Sequence, residues 1–141
     1  MALRTSALLS VGFFLLLTRG ALTDTDEGSL SIKLSVENEQ SNEPLKSYSS
    51  SVVKGGVLLG ALRRLHDAQH DFKFTVKEDP NFGLFLESVN GVAGNKDEKT
   101  YWEILSESSG EFDRLDVGIG CYMPKADEHI VLRYTTWSPQ Q

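Results

Sequence analysis

The chain has 141 residues and a mass of 15.6 kDa, room for one ordinary domain rather than two. With 40% hydrophobic and 24% charged residues, it is neither wholly disordered, collagen-like nor a multispan membrane protein. Twenty acidic against 14 basic residues give a net charge of −6, so the basic footprint of a nucleic-acid binder is lacking, and the single cysteine excludes an intramolecular disulfide.

At the N-terminus, Arg4 precedes an apolar run from Ala7 to Leu17 that is interrupted only by Ser10 and Gly12. A membrane span needs ~20 apolar residues. A shorter run behind a positive start, followed by small residues, predicts a secretory signal peptide over residues 1–20, with Thr18 and Gly20 at −3 and −1 of a cut before Ala21. An N-terminal core helix or a retained anchor is the alternative. No second apolar stretch of spanning length follows, so a soluble, secreted, extracellular chain is expected. Loss of Arg4 and Arg19, with no acid lost, leaves 121 residues at −8. Cys121 is expected as a small buried hydrophobe, the alternative being a disulfide to another chain. No Asn-x-Ser/Thr sequon occurs.

Residues 21–28 form a polar, acidic leader. Leu30, Ile32, Leu34 and Val36 then alternate with polar residues, predicting a half-buried strand. A polar loop, 37–44, leads to a serine-rich edge strand over 45–53. Gly55-Gly56 opens a helix expected over 57–70, with Leu58, Ala61, Leu62 and Leu65 on one face. Phe72, Phe74 and Val76 mark the next strand, and 78–81 a turn. Residues 82–89 form an apolar strand ended by Asn90-Gly91, a favoured hairpin pair. After the hydrophilic loop 94–99 comes an aromatic strand over 101–105, then a turn over 106–110. Residues 115–122 are glycine-rich and semi-extended. A last strand carries Ile130, Leu132, Tyr134 and Thr136 and ends at Trp137. One helix and about six short strands make an α+β fold: a small antiparallel β-sheet domain with one packed α-helix.

Motifs for chemistry are sparse. His66 and His70 share a zinc-compatible i, i+4 spacing, but without HExxH or a cysteine cluster they describe a solvated helix face. His129 is expected to be exposed. No Gly-x-Ser-x-Gly elbow, P-loop or GxGxxG fingerprint occurs. These absences point to a non-enzyme without catalytic residues, metal or catalytic cofactor. What remains is an aromatic and aliphatic set in the second half of the chain. Neighbouring strand residues face opposite ways. Phe85 and Trp102 therefore point out if Leu84, Leu86 and Tyr101 point in. Either an exposed partner or ligand face, or a core with two sides, accounts for the set.

The run Gly83-Leu84-Phe85-Leu86-Glu87-Ser88-Val89-Asn90-Gly91-Val92, followed by Thr100-Tyr101-Trp102-Glu103-Ile104-Leu105-Ser106, resembles the C-terminal domain of the vitamin B12 carriers: transcobalamin, intrinsic factor and haptocorrin. The Lys54–Leu59 segment is similar to that domain's helix start. Gly118–Pro124, Glu128-His129-Ile130 and Trp137 look like its ending. The likeness covers about residues 29–137, and the domain is placed at 29–138.

The resemblance implies a secreted protein for cobalamin binding and transport. In that family a large helical domain supplies a histidine that can coordinate cobalt, and a small β-rich domain closes over the corrin like a lid. Carried over, the lid contacts are Phe82, Gly83, Leu84, Phe85, Trp102, Glu103, Ile104, Leu105 and Ser106. An apolar disc rimmed with amides suits such residues. The expected partners are cobalamin or a related corrinoid, and a separate helical carrier domain or a cell-surface receptor, with no nucleic acid and no membrane span. None of His66, His70 and His129 matches the cobalt-coordinating histidine, Glu103 stands where the family usually has Gln, and Cys121 departs from its pattern. The expectation is a stand-alone lid domain. The alternative is a secreted protein-interaction module that kept the fold and lost the vitamin.

Overall fold

The computed structural model describes residues 28–81 and 83–137. The expected signal peptide, the leader through residue 27 and the expected contact Phe82 lie outside the described residues, as do residues 138–141. The elements run β1 (Ser29–Asn38), β2 (Lys46–Val53), α1 (Leu58–Ala68), β3 (Phe74–Asp79), β4 (Gly83–Val89), β5 (Val92–Ala93), β6 (Thr100–Ser108), β7 (Glu111–Arg114) and β8 (Glu128–Thr136). They form a five-stranded sheet in the order β2-β1-β8-β6-β7 and a three-stranded sheet in the order β3-β4-β5. The expected α+β class is what the chain adopts. The pairing is antiparallel with one exception: β1 and β8 run parallel, Leu34 beside Ile130 and Val36 beside Leu132.

Period-two patterning explains the inner face of the larger sheet. Ile32, Leu34 and Val36 of β1, Ile130, Leu132 and Tyr134 of β8, and Trp102 of β6 are buried in one cluster. Leu58, Ala61, Leu62 and Leu65 of α1 join it, as their helical spacing predicts. The helix is shorter than expected, ending at Ala68 rather than His70. Val57 at its N-cap makes no side-chain cap bond. Instead, the Leu58 and Leu59 N–H groups donate to the Tyr122 and Ile119 carbonyls, so a distant loop satisfies the first turn. The outer face of the same sheet is mostly polar, yet it buries Ser35, Leu105 and Val131 at its centre.

The smaller sheet differs from expectation in detail. Phe72 is fully buried ahead of β3 rather than inside it, and β3 continues through Asp79 into the expected turn. The hairpin at Asn90-Gly91 forms as predicted, both residues having positive φ (51° and 84°). Two strands went unpredicted, β5 and β7. The turn expected over 106–110 is narrower: β6 runs on to Ser108, and Ser109-Gly110 (φ 54° and 83°) turns the chain into β7.

Two single-residue expectations are corrected. Cys121 is exposed, not buried, because it lies in a turn where its N–H donates to the Gly118 carbonyl. His129 is not simply exposed: its ring lies between Glu107 and Ser35, and the side chain keeps 29% of its accessible surface.

Candidate ligand cleft

β7 pairs with β6 only from Leu105 to Ser108, so residues 101–104 of β6 have a strand neighbour on one side only, β8. On the open side the Ile104 carbonyl accepts the Leu115 N–H at 2.9 Å, and Thr100 exchanges bonds with Asn95. Strand alternation turns the Trp102 main-chain N–H and carbonyl toward the same side. There a cleft of about 280 Å³ opens between Phe85 and Leu86 of β4, residues 101–104 of β6 and the segment 114–119. Its accessible apolar residues are Phe85, 42% exposed, and Val117, 47% exposed, and the exposed Arg114 and Asp116 line it beside them.

The 115–119 segment is held close by its glycine. A Cβ on Gly118 would stand 2.7 Å from the Leu84 carbonyl oxygen, so only glycine lets the segment lie against β4. Ile119 is fully buried beneath, anchoring the segment to the core.

The predicted contacts separate into two groups. Phe85, Trp102, Glu103 and Ile104 line the cleft. Gly83, Leu84, Leu105 and Ser106 do not. Gly83 opens β4 with φ 77°, Leu84 backs the 118–120 turn, and Leu105 is buried on the sheet's outer face beside Val131. Ser106 donates to Glu128 Oε2 at 2.7 Å. Trp102 corrects the expected orientation. It is only 7% exposed, its indole N–H donates to the Val92 carbonyl at 2.8 Å, and its ring packs on Tyr134. It lines the cleft as a core residue rather than with an exposed ring face.

The charge at Glu103 is compensated locally. Its carboxylate accepts from the Tyr101 hydroxyl at 3.1 Å and from Arg133 Nη1 at 3.4 Å. Arg133 also donates to Glu37 at 2.6 Å, and that hydrogen bond, ahead of the burial opposing it, raises its already high pKa. Burial pushes the Tyr101 hydroxyl up, against the Arg114 guanidinium that donates to it. Arg114 and the 115–119 segment were not singled out from sequence. The signals there were glycine content and the likeness of Gly118–Pro124 to the carrier domain's ending, which mark a bend without saying what it bends toward.

No protein-family model matches the chain. Among curated proteins it is 37% identical to mouse cobalamin binding intrinsic factor over 87 residues, 62% of this chain and 20% of that protein. It is 33% identical to the human intrinsic factor over 92 residues (65% and 21%), and 28% identical to human transcobalamin-1 over 88 residues (62% and 19%). The chain thus spans about a fifth of the curated relatives it matches. Among solved structures, haptocorrin in complex with Cbi superposes with a TM-score of 0.66 and 26% identity, covering 78% of this chain and 26% of that one. A putative metal binding protein from Ruminococcus gnavus shares the fold alone, at TM-score 0.52 and 13% identity over 77% of this chain and 99% of its own. In sequence and in fold together, the chain is related to the cobalamin-carrier family and corresponds to its C-terminal domain.

Proposed function

We propose that the chain is a secreted cobalamin-binding domain that takes a corrinoid against the cleft between β4, β6 and the 115–119 segment. The observation that carries this is the convergence of Phe85, Trp102, Glu103 and Ile104 on one open-edged cleft. A corrin offers an apolar ring and peripheral amides. Phe85 and Val117 supply apolar contact area, and the outward main-chain groups of Trp102 supply a donor and an acceptor for an amide. A cleft of about 280 Å³ covers one edge or face of such a ligand, so a helical carrier domain supplied by a partner completes the enclosure. The role proposed for this cleft is carriage of the ligand. Secretion rests on the signal-peptide pattern of residues 1–20, with the secreted chain beginning at Ala21.

The test is a titration of the secreted protein with cobalamin, followed by absorbance of the protein fraction after size filtration, alone and with a helical carrier domain. Phe85→Ala is expected to weaken binding about tenfold, or ~1.4 kcal/mol, without lowering the melting temperature. Cobalamin that never travels with the protein, even with the helical domain present, rules the proposal out and favours a protein-interaction module.

A further inference from the structure

Away from that cleft, three adjacent strands bring a serine, a histidine and a carboxylate into line. On the outer face of the larger sheet, His129 of β8 lies across from Glu107 of β6 and beside Lys33 of β1. Ser35 is two residues along β1 from Lys33, on the same face. Glu107 Oε1 lies 2.5 Å from His129 Nδ1, and Ser35 Oγ lies 2.7 Å from His129 Nε2. In the tautomer whose Nδ1–H donates to the Glu107 carboxylate, Nε2 is the acceptor for the Ser35 hydroxyl proton. That is the order of contacts an activated serine requires: nucleophile, base, and a carboxylate that orients the base.

We propose that Ser35 is a reactive serine that accepts the acyl group of small carboxylic esters. A cross-link made only for stability needs no opening at its serine. Here Ser35 is 3% exposed, and a cleft of about 560 Å³ reaches it, lined also by Lys33, Leu45, Ser47 and His129. It shares no lining residue with the cleft at β6. Leu45, 53% exposed, offers apolar contact to a short acyl chain.

The Ser35 oxygen attacks the ester carbonyl carbon while its proton passes to His129 Nε2. The bond from that carbon to the leaving oxygen then breaks, and the leaving oxygen takes its electron pair and the proton from Nε2. Water, activated the same way, releases the carboxylic acid and restores Ser35. Glu107 is a positioning residue in this scheme. β1 is a central strand whose main chain is engaged by β2 and β8 on its two sides. The developing oxyanion therefore relies on side chains: the Lys33 ammonium and the hydroxyl of Ser47, the residue opposite Ser35 on β2. Lacking the main-chain pair of a fast hydrolase, the site is slow in both steps, and hydrolysis of the acyl-serine is the slower, so the adduct accumulates.

The experiment is incubation of the full chain with p-nitrophenyl acetate, following p-nitrophenolate release and mapping acetyl groups by peptide mass spectrometry. Acetylation is expected at Ser35 ahead of Ser47, Ser49, Ser50 and Ser51 on the neighbouring strand. Ser35→Ala abolishes that adduct, and His129→Gln slows its formation about 100-fold, the scale of a lost general base. Glu107→Gln slows it and alters its pH profile, while Glu107→Asp recovers part of the rate. Folded protein without an adduct at Ser35, acetylation spread evenly over the β2 serines, or a His129→Gln protein that reacts at the original rate overturns the proposal. The site mapping on the unsubstituted chain decides the matter even where a variant does not fold.

Discussion

Trp102 stands directly opposite Tyr134 in the β6–β8 ladder, their rings 5.1 Å apart between centroids. Both reach the same short strand with a polar atom: Trp102 donates to the Val92 carbonyl and Tyr134 to the Ala93 carbonyl. Two large side chains of the five-stranded sheet thereby fasten the edge of the three-stranded one. Trp102→Ala is expected to destabilise the chain by ~3–5 kcal/mol, the scale of a buried aromatic truncation. Equilibrium unfolding in urea measures it. A change below ~0.5 kcal/mol, the surface range, removes Trp102 from the core.

Leu62 of α1 is 1% exposed and belongs to the central cluster. Leu62→Ala should cost ~2–5 kcal/mol, with the midpoint of denaturant unfolding falling and its slope unchanged.

Two glycines make a contrasting pair. A Cβ at Gly60, on the solvent side of α1, meets nothing within 4 Å, and Gly60→Ala is expected to raise stability by ~0.5–1 kcal/mol. At Gly118 the same methyl runs into the Leu84 carbonyl, a main-chain atom that cannot swing aside. Gly118→Ala should cost ~1–3 kcal/mol as overpacking and displace the 115–119 segment. Paired thermal melts with opposite signs are the expected result; equal shifts would contradict the close approach.

Acid sensitivity should trace to Glu128. Burial works to raise its carboxyl, but hydrogen bonds from the Tyr122 hydroxyl, the Lys125 N–H and the Ser106 hydroxyl outweigh it and hold the group below its ordinary 4.5. The unfolded chain therefore binds the proton first as pH falls, and stability present above about 4.5 is lost below it. Tyr122 acts at the other end of the scale. Burial first, then Glu128, pushes its hydroxyl up to about 12, so stability should also decline between its ordinary 10 and that value. Glu128→Gln should flatten the acid limb of a stability–pH curve and shrink the alkaline limb to the part that burial of Tyr122 sustains.

Much of this was legible in the chain. Alternation identified β1 and β8, helical spacing identified the buried face of α1, and Asn90-Gly91 fixed a hairpin. The failures have a common physical origin. Alternation gives two faces without saying which is inward, and on β6 Tyr101 and Trp102 are equally plausible occupants of either. Their assignment is made by Val92 and Tyr134, partners ten and 32 residues away from Trp102. The cap of α1 is likewise invisible locally, because its acceptors are carbonyls of residues 119 and 122. Ser35, His129 and Glu107 each look like an ordinary polar strand residue until three strands from distant parts of the chain lie side by side.

That distance also governs how the chain can assemble. The parallel pairing of β1 with β8 joins residues 96 positions apart, and it forms the middle of the larger sheet. Closing so large a loop is entropically costly before its contacts reward it, and the high contact order predicts slow folding. During synthesis β1 emerges first and its central partner last, so until β8 appears one side of β1 is an unsatisfied strand edge. Loss of the last ten residues, which would remove most of β8's inward side chains, should therefore abolish folding of the larger sheet rather than merely shorten it.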